Sequence, residues 1–279
     1  MADYIEIPTE AGTFDALSAG AEGDRPVLLL HGFPEAAIEW REQLNVLGGA
    51  GCHAVAPDQR GYSPGVRPQE VFEYRQEALV SDVLAIADRL GWQRFDLVGH
   101  DWGAAIAWAV AAAHPDRIRT LTAVSVPHLD AFGRALREDE DQQRRSEYMQ
   151  VFRRTGSDKL LLEDDARRLR RLYEHKIPET HIEEYVQRFS EPGALDAALN
   201  WYRAAKFADP IGQVRVPTLY VWSTEDPALG STAALACGEH VTGPYRFEMF
   251  EEISHWVPEE AAEELTRVLL EHLIAHQDA

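Results

Sequence analysis

The stretch Phe95-Asp96-Leu97-Val98-Gly99-His100-Asp101-Trp102-Gly103-Ala104-Ala105 decides how the rest of this chain is read. A short apolar run ends in Gly-x-Asp-x-Gly, and an Ala-rich helical pattern follows at once. That layout is a nucleophile elbow, a sharp strand-to-helix turn that presents one reactive side chain. The usual residue there is serine; here it is Asp101. The exchange redirects the chemistry. An alkoxide suits attack on a carbonyl. A carboxylate displaces a leaving group from a saturated carbon and leaves an ester that water can cleave. A serine doing the same would leave an ether, a dead end.

Working outward, strand and helix signals alternate. Pro26–Leu30 is a short apolar run bounded by turn residues and reads as a buried parallel strand. A helix is expected from Glu35 to Leu47, stopped by Gly48-Gly49, then a strand over His53–Pro57. Gln76–Leu90 carries apolar residues at helical spacing (Leu79, Val83, Ile86, Leu90) and Gly91 closes it. The elbow helix runs from Trp102 to Ala113, and Leu121–Val126 is a further strand. Repeated strand–helix–strand units imply a parallel sheet with helices on both faces.

From about His128 to Asp209 the strand signals vanish, and the segment is charged, Arg-rich and helical in period. After Pro210 the alternation resumes, with strands over Thr218–Trp222 and Tyr245–Phe250 and a last amphipathic helix from Pro258 to about His276. The expected division is an α/β core of residues 1–127 and 211–279, with residues 128–210 inserted as a helical lid (cap) over a pocket.

A nucleophile needs partners. Asp226 follows the strand ending at Trp222, and His255 lies in the loop before the last helix. Nucleophile, acid and histidine thus stand in the chain order that such hydrolases use, each at a strand end where open parallel sheets gather their sites. Two backbone amides are candidate oxyanion donors. One is Phe33, in the small-residue turn His31-Gly32-Phe33-Pro34 after the first strand. The other is Trp102, next after the nucleophile at a helix N-terminus.

The bulk composition bounds the answer. Hydrophobic residues make up 45% and charged residues 27%, as in an ordinary soluble globular protein. The formal net charge of -20 argues against nucleic acid and anionic membrane surfaces as partners. Cys52 and Cys237 are too few for a disulfide framework or a thiolate metal site. The N-terminus shows no signal peptide and no apolar run is long enough to span a bilayer. A cytoplasmic monomer or homodimer is the expectation. Gly-x-Ser-x-Gly and Gly-x-Gly-x-x-Gly are both absent, so neither a serine esterase nor a dinucleotide site is indicated. His272 and His276, four apart on the last helix, lack a carboxylate partner and read as a frayed polar tail rather than a metal pair. Arg137–Asp141 reads as solvated lid surface.

Five pieces together carry a resemblance: His31-Gly32-Phe33-Pro34-Glu35, Asp58-Gln59-Arg60-Gly61-Tyr62-Ser63, Gly99-His100-Asp101-Trp102-Gly103, Leu199-Asn200-Trp201-Tyr202-Arg203 and Ser254-His255-Trp256. Over essentially its full length the chain resembles the epoxide hydrolases of the α/β-hydrolase superfamily. The resemblance implies the α/β-hydrolase fold, no metal and no cofactor, and a small apolar epoxide plus water as the reactants. It also implies two lid tyrosines that bond the ring oxygen. Tyr202 shares a helical face with Leu195, Ala198 and Leu199 and matches the second. Tyr148, on a face with Val151 and Phe152, matches the first, with Tyr173 and Tyr185 as rivals.

The implied reaction has two steps. Asp101 attacks an epoxide carbon while Tyr148 and Tyr202 protonate the ring oxygen. His255, oriented by Asp226, then activates the water that cleaves the ester and releases a vicinal diol. The first step hands His255 no proton, which leaves it unprotonated for the second. Haloalkane dehalogenases share the fold and the Asp-Trp-Gly turn and supply the alternative activity. Position 33 is Phe here where they use Asn, and Trp102 stands where fluoroacetate dehalogenases place an arginine. A catalytically silent binding protein on the same fold is the alternative of another class.

Overall fold

The computed structural model describes residues 1–173, 176–207 and 209–278. The sequence reading assigns no strand before Pro26; the structure has two there. β1 (Asp3–Thr9) and β2 (Gly12–Ala19) form an antiparallel hairpin in which Ile7 faces Phe14. Most of β1 is exposed, so its apolar residues are too few to show a strand period. β3 (Arg25–Leu30) follows, and then a 3₁₀ turn over Ala37–Trp40 leads into α1 (Arg41–Gly49). The helix expected from Glu35 therefore starts six residues later. Glu35 is fully buried and lies outside the turn.

β4 (Cys52–Pro57), α2 (Gln76–Arg89), β5 (Phe95–His100) and α3 (Trp102–Ala113) lie within a residue or so of their expected bounds. β6 (Ile118–Val124) starts and ends earlier than expected, closed by Ser125 at φ 66°. After the helical segment come β7 (Thr218–Ser223) and β8 (Tyr245–Phe250). The sheet order is β1-β2-β4-β3-β5-β6-β7-β8. β2 runs antiparallel to both neighbours, and every pair from β4 to β8 is parallel. All of β4, β5 and β7 is buried, because helices cover both faces. α3 is apolar on all sides and buried from Trp102 to Ala111, which makes it the central helix of the core.

Among the described residues between β6 and β7 the chain forms six helices: α4 (Leu129–Glu138), α5 (Glu140–Arg145), α6 (Tyr148–Phe152), α7 (Ser157–Leu172), α8 (Glu179–Phe189) and α9 (Ala194–Ala204). α7 breaks at Glu163–Ala166, where three consecutive residues have positive φ. Named bonds tie this insertion to the sheet region. Arg188 of α8 donates to Asp58 Oδ2 at 2.6 Å, and the Trp201 indole of α9 donates to Arg60 O at 2.8 Å. At its base His128 Nε2 donates to Gly212 O, and Asp130 accepts from the Ile211 amide.

α10 (Ser231–Ala236), without a sequence expectation, packs its alanines on α4. The last helix is split at Ala261 into α11 (Val257–Glu260) and α12 (Ala262–Ala275). His272 corrects the expectation of a frayed polar tail: it is buried, and burial drives its imidazole down to about 4. Among the described residues no helix is long and apolar enough to cross a membrane.

Candidate active site

The elbow is built by close backbone approach. A Cβ on Gly99 would stand 2.3 Å from Gly103 O, and one on Gly103 would stand 2.0 Å from Leu30 O. Only glycine at both positions lets α3 start against β3 and β5. The turn holds Asp101 at φ 48° and ψ −118°, a strained conformation that thrusts its side chain off the end of β5. The His31–Pro34 turn lies opposite. There His31 Nδ1 donates to Gly32 O and Nε2 accepts from the Gln59 amide. Burial pushes that imidazole down to about 4, so it is neutral, as both bonds require.

The Phe33 amide donates to Asp101 Oδ1 at 2.9 Å. The other oxygen, Oδ2, faces His255 Nε2 at 3.4 Å. The Trp102 amide heads α3, where the leading N–H groups lack intrahelical acceptors. His255 Nδ1 donates to Asp226 Oδ2 at 2.8 Å, while Asp226 Oδ1 accepts from the amides of Ala228 and Leu229 at 2.8 and 2.9 Å. Asp226 is 1% exposed, so its direction is fixed by these bonds and not by solvent. The insertion buttresses this loop: Arg145 donates to Asp226 O, and Gln142 bridges Ala228 O and the Gly230 amide.

Burial raises the Asp101 carboxyl, but the bond and charge of His255 outweigh it, and the net shift is downward. For His255 burial works against the charged form, yet Asp226 and Asp101 together lift it to about 10. Between two carboxylates the resting imidazole carries a proton.

Tyr148 and Tyr202 line one cavity of about 230 Å³ together with Asp101 and His255. The remaining wall is mostly apolar, including Phe33, Phe152, Leu172 and Trp256. The two phenol rings meet edge to face at 6.2 Å between centroids, and the Trp102 ring meets Tyr202 edge to face at 4.9 Å. Burial pushes both phenols up, so they are protonated donors. The rivals face elsewhere. Tyr173 donates to Pro34 O and Tyr185 to Glu259, with their rings stacked 5.6 Å apart.

The sequence reading missed a buried polar layer beneath His255. His100 Nε2 donates to His255 O at 3.0 Å, and its Nδ1 faces Glu35 Oε2 at 3.0 Å and Glu39 Oε2 at 3.4 Å. Burial lowers His100, but Glu35 lifts it to about 9. Burial and the neighbouring Glu35 charge push the Glu39 carboxyl well above the usual carboxylate range. The only signal was position: Glu35 ends the His-Gly-Phe-Pro-Glu motif and His100 precedes the nucleophile.

Among the described residues two groups bring three potential metal ligands within 4.8 Å: Glu35, Glu39 and His100, and His128, Asp130 and His240. In the first, the His100 imidazolium already offsets Glu35. In the second, the imidazoles stack at 4.6 Å and 7°. Their lone pairs lie in nearly parallel planes and do not converge on one ion.

Comparison with known proteins agrees with this geometry. The family described as the alpha/beta hydrolase fold matches residues 25–262. Epoxide hydrolase A of Mycobacterium tuberculosis is 32% identical over 96% of both chains. Epoxide hydrolase 3 of Xenopus tropicalis is 30% identical over 97% of this chain and 77% of its own. The crystal structure of epoxide hydrolase A from Mycobacterium thermoresistibile superposes with a TM-score of 0.86 over 98% of each chain, at 27% identity. The chain belongs to the epoxide hydrolases of the α/β-hydrolase superfamily.

Proposed function

We propose that this chain hydrolyses an epoxide to a vicinal diol through an ester on Asp101, beneath a cap formed by the helices between β6 and β7. One observation carries the reading. The nucleophilic oxygen, the His255 imidazole and two phenol donors share a single apolar cavity, while the Phe33 amide holds the other oxygen of Asp101.

Asp101 Oδ2 attacks a ring carbon, and the C–O bond breaks. The departing oxygen would be an alkoxide, a very poor leaving group unless it is stabilised as it forms. Tyr148 and Tyr202 bond it, and one phenol gives up its proton. That proton is made good by His255, whose charge is no longer supported once Asp101 becomes a neutral ester. The neutral imidazole, oriented by Asp226, then takes a proton from water, and the hydroxide adds to the ester carbonyl. Negative charge builds on Oδ1, where the Phe33 amide already sits and the Trp102 amide is free to join. Collapse expels the diol oxygen, which takes the proton of the new carboxylic acid. The cycle ends with Asp101 ionised, His255 protonated and no net proton change.

The dehalogenase alternative asks for an indole N–H free for halide. Here the Trp102 ring packs edge to face against Tyr202, and two phenols line the cavity beside Asp101, which favours the epoxide. Turnover of a neutral aryl epoxide in ¹⁸O-water is the test. Label must enter the Asp101 carboxylate over many cycles and diol must accumulate. Diol without label in Asp101 rejects the ester route, and halide release without diol rejects the substrate class.

A further inference from the structure

The two phenols reach the cavity from different helices. Tyr148 opens α6, which is five residues long, far too short to hold its own position. Tyr202 lies in the last turn of α9, whose final carbonyls lack intrahelical donors. Between the two helices run ring-edge contacts: Phe152 to Tyr202 at 5.1 Å and Tyr148 to Tyr202 at 6.2 Å between centroids. Such contacts tolerate sliding. One bond does not. Arg153, the residue after α6, donates its Nε–H to the backbone carbonyl of Tyr202 at 2.9 Å. A cation here meets an unsatisfied carbonyl at the negative end of the α9 dipole. Arg153 is exposed and, among the described residues, forms no ion pair, so the bond is not a by-product of surface charge pairing.

We propose that Arg153 is a positioning residue that fixes the spacing of the Tyr148 and Tyr202 hydroxyls by locking α6 to the end of α9. The proposal rests on the reading of these tyrosines as the pair that receives the epoxide oxygen. Its consequence is selective. Ring opening needs both hydroxyls within bonding distance of one oxygen, and small misplacements there are costly. Ester hydrolysis uses His255, Asp226 and the oxyanion amides, none of which Arg153 touches.

Rapid-quench single turnover with a neutral aryl epoxide, followed by mass spectrometry of the intact protein, separates the two steps. Arg153→Met is expected to slow ester formation about tenfold and to leave ester hydrolysis within about twofold. Arg153→Lys, which keeps a cationic donor, recovers most of the loss. In a Tyr202→Phe background the grip is already one-armed, so Arg153→Met adds less than about twofold. Equal slowing of both steps, unchanged ester formation, or full additivity with Tyr202→Phe overturns the proposal. If Tyr148→Phe and Tyr202→Phe themselves leave ester formation untouched, the reading beneath it falls, and the proposal with it.

Discussion

The elbow at the end of β5 and the α6–α9 corner of the insertion face each other across one cavity, yet they are held in opposite ways. The elbow is fixed by backbone. Gly99 and Gly103 allow main-chain contact that no side chain fits, the surrounding strand is buried throughout, and the helix is buried from Trp102 to Ala111. The α6–α9 corner is fixed by side chains: a short helix, ring edges and a guanidinium on a carbonyl. On the proposed reading, covalent chemistry tolerates little displacement, and the nucleophile Asp101 sits on the rigid part. The phenols proposed to receive the departing oxygen sit where modest substitution can re-space them.

The sharpest test of the division is His255→Gln. If the base serves only the second step, ester still forms and then persists. Steady turnover should fall by about 10³-fold, while nearly one ester per chain appears by intact-protein mass spectrometry. A variant that neither turns over nor traps ester would move His255 into the first step and dissolve the separation of roles.

Two glycines compare the regions directly. Gly103→Ala drives a Cβ to 2.0 Å from Leu30 O, a backbone atom that cannot move aside. A loss of about 3 kcal/mol is expected in denaturant unfolding. Gly156→Ala, just before α7, meets no atom within 4 Å and bears only the strain of φ +86°, about 1 kcal/mol. Equal losses would mean the elbow is no stiffer than the insertion.

The phenols come next. Tyr148→Phe and Tyr202→Phe should each slow ester formation roughly tenfold to a hundredfold, and the double variant far more, with ester hydrolysis nearly unchanged. Stopped-flow kinetics on both half-reactions reads this. A single variant as inactive as the double one would leave one tyrosine as the sole donor.

This contrast also explains what was legible in the sequence. The elbow, Asp226 and His255 are readable because each lies at the end of an apolar strand, and strand order fixes where those ends meet. Tyr202 is readable from its helical face. Tyr148 could be told from Tyr173 and Tyr185 only through family resemblance. All four are aromatic residues in helical pattern, and which hydroxyl finds the cavity depends on tertiary contacts. Glu35, Glu39 and His100 were opaque for a different reason: nothing local announces that a carboxylate will be buried against a histidine from another strand. The exposed β1 carried too few apolar residues to show its period.

A last test concerns one bond between the insertion and the sheet region. Arg188 of α8 donates to Asp58, whose side chain is only 4% exposed and also accepts from the Ala37 amide. Burial raises the Asp58 carboxyl, and Arg188 pulls it back down. Arg188→Met removes that pull, so the carboxyl of the folded variant rises further above its unfolded value near 4. A raised acid leaves stability intact below the unfolded pKa and removes it as pH climbs through the folded one. The variant should therefore melt close to the parent at pH 4 and fall behind by up to about 2 kcal/mol at pH 7.5. Glu191, whose negative charge also raises Asp58, pushes the same way. A gap that stays constant across pH would show that Arg188 holds the insertion by its aliphatic stem rather than by its charge.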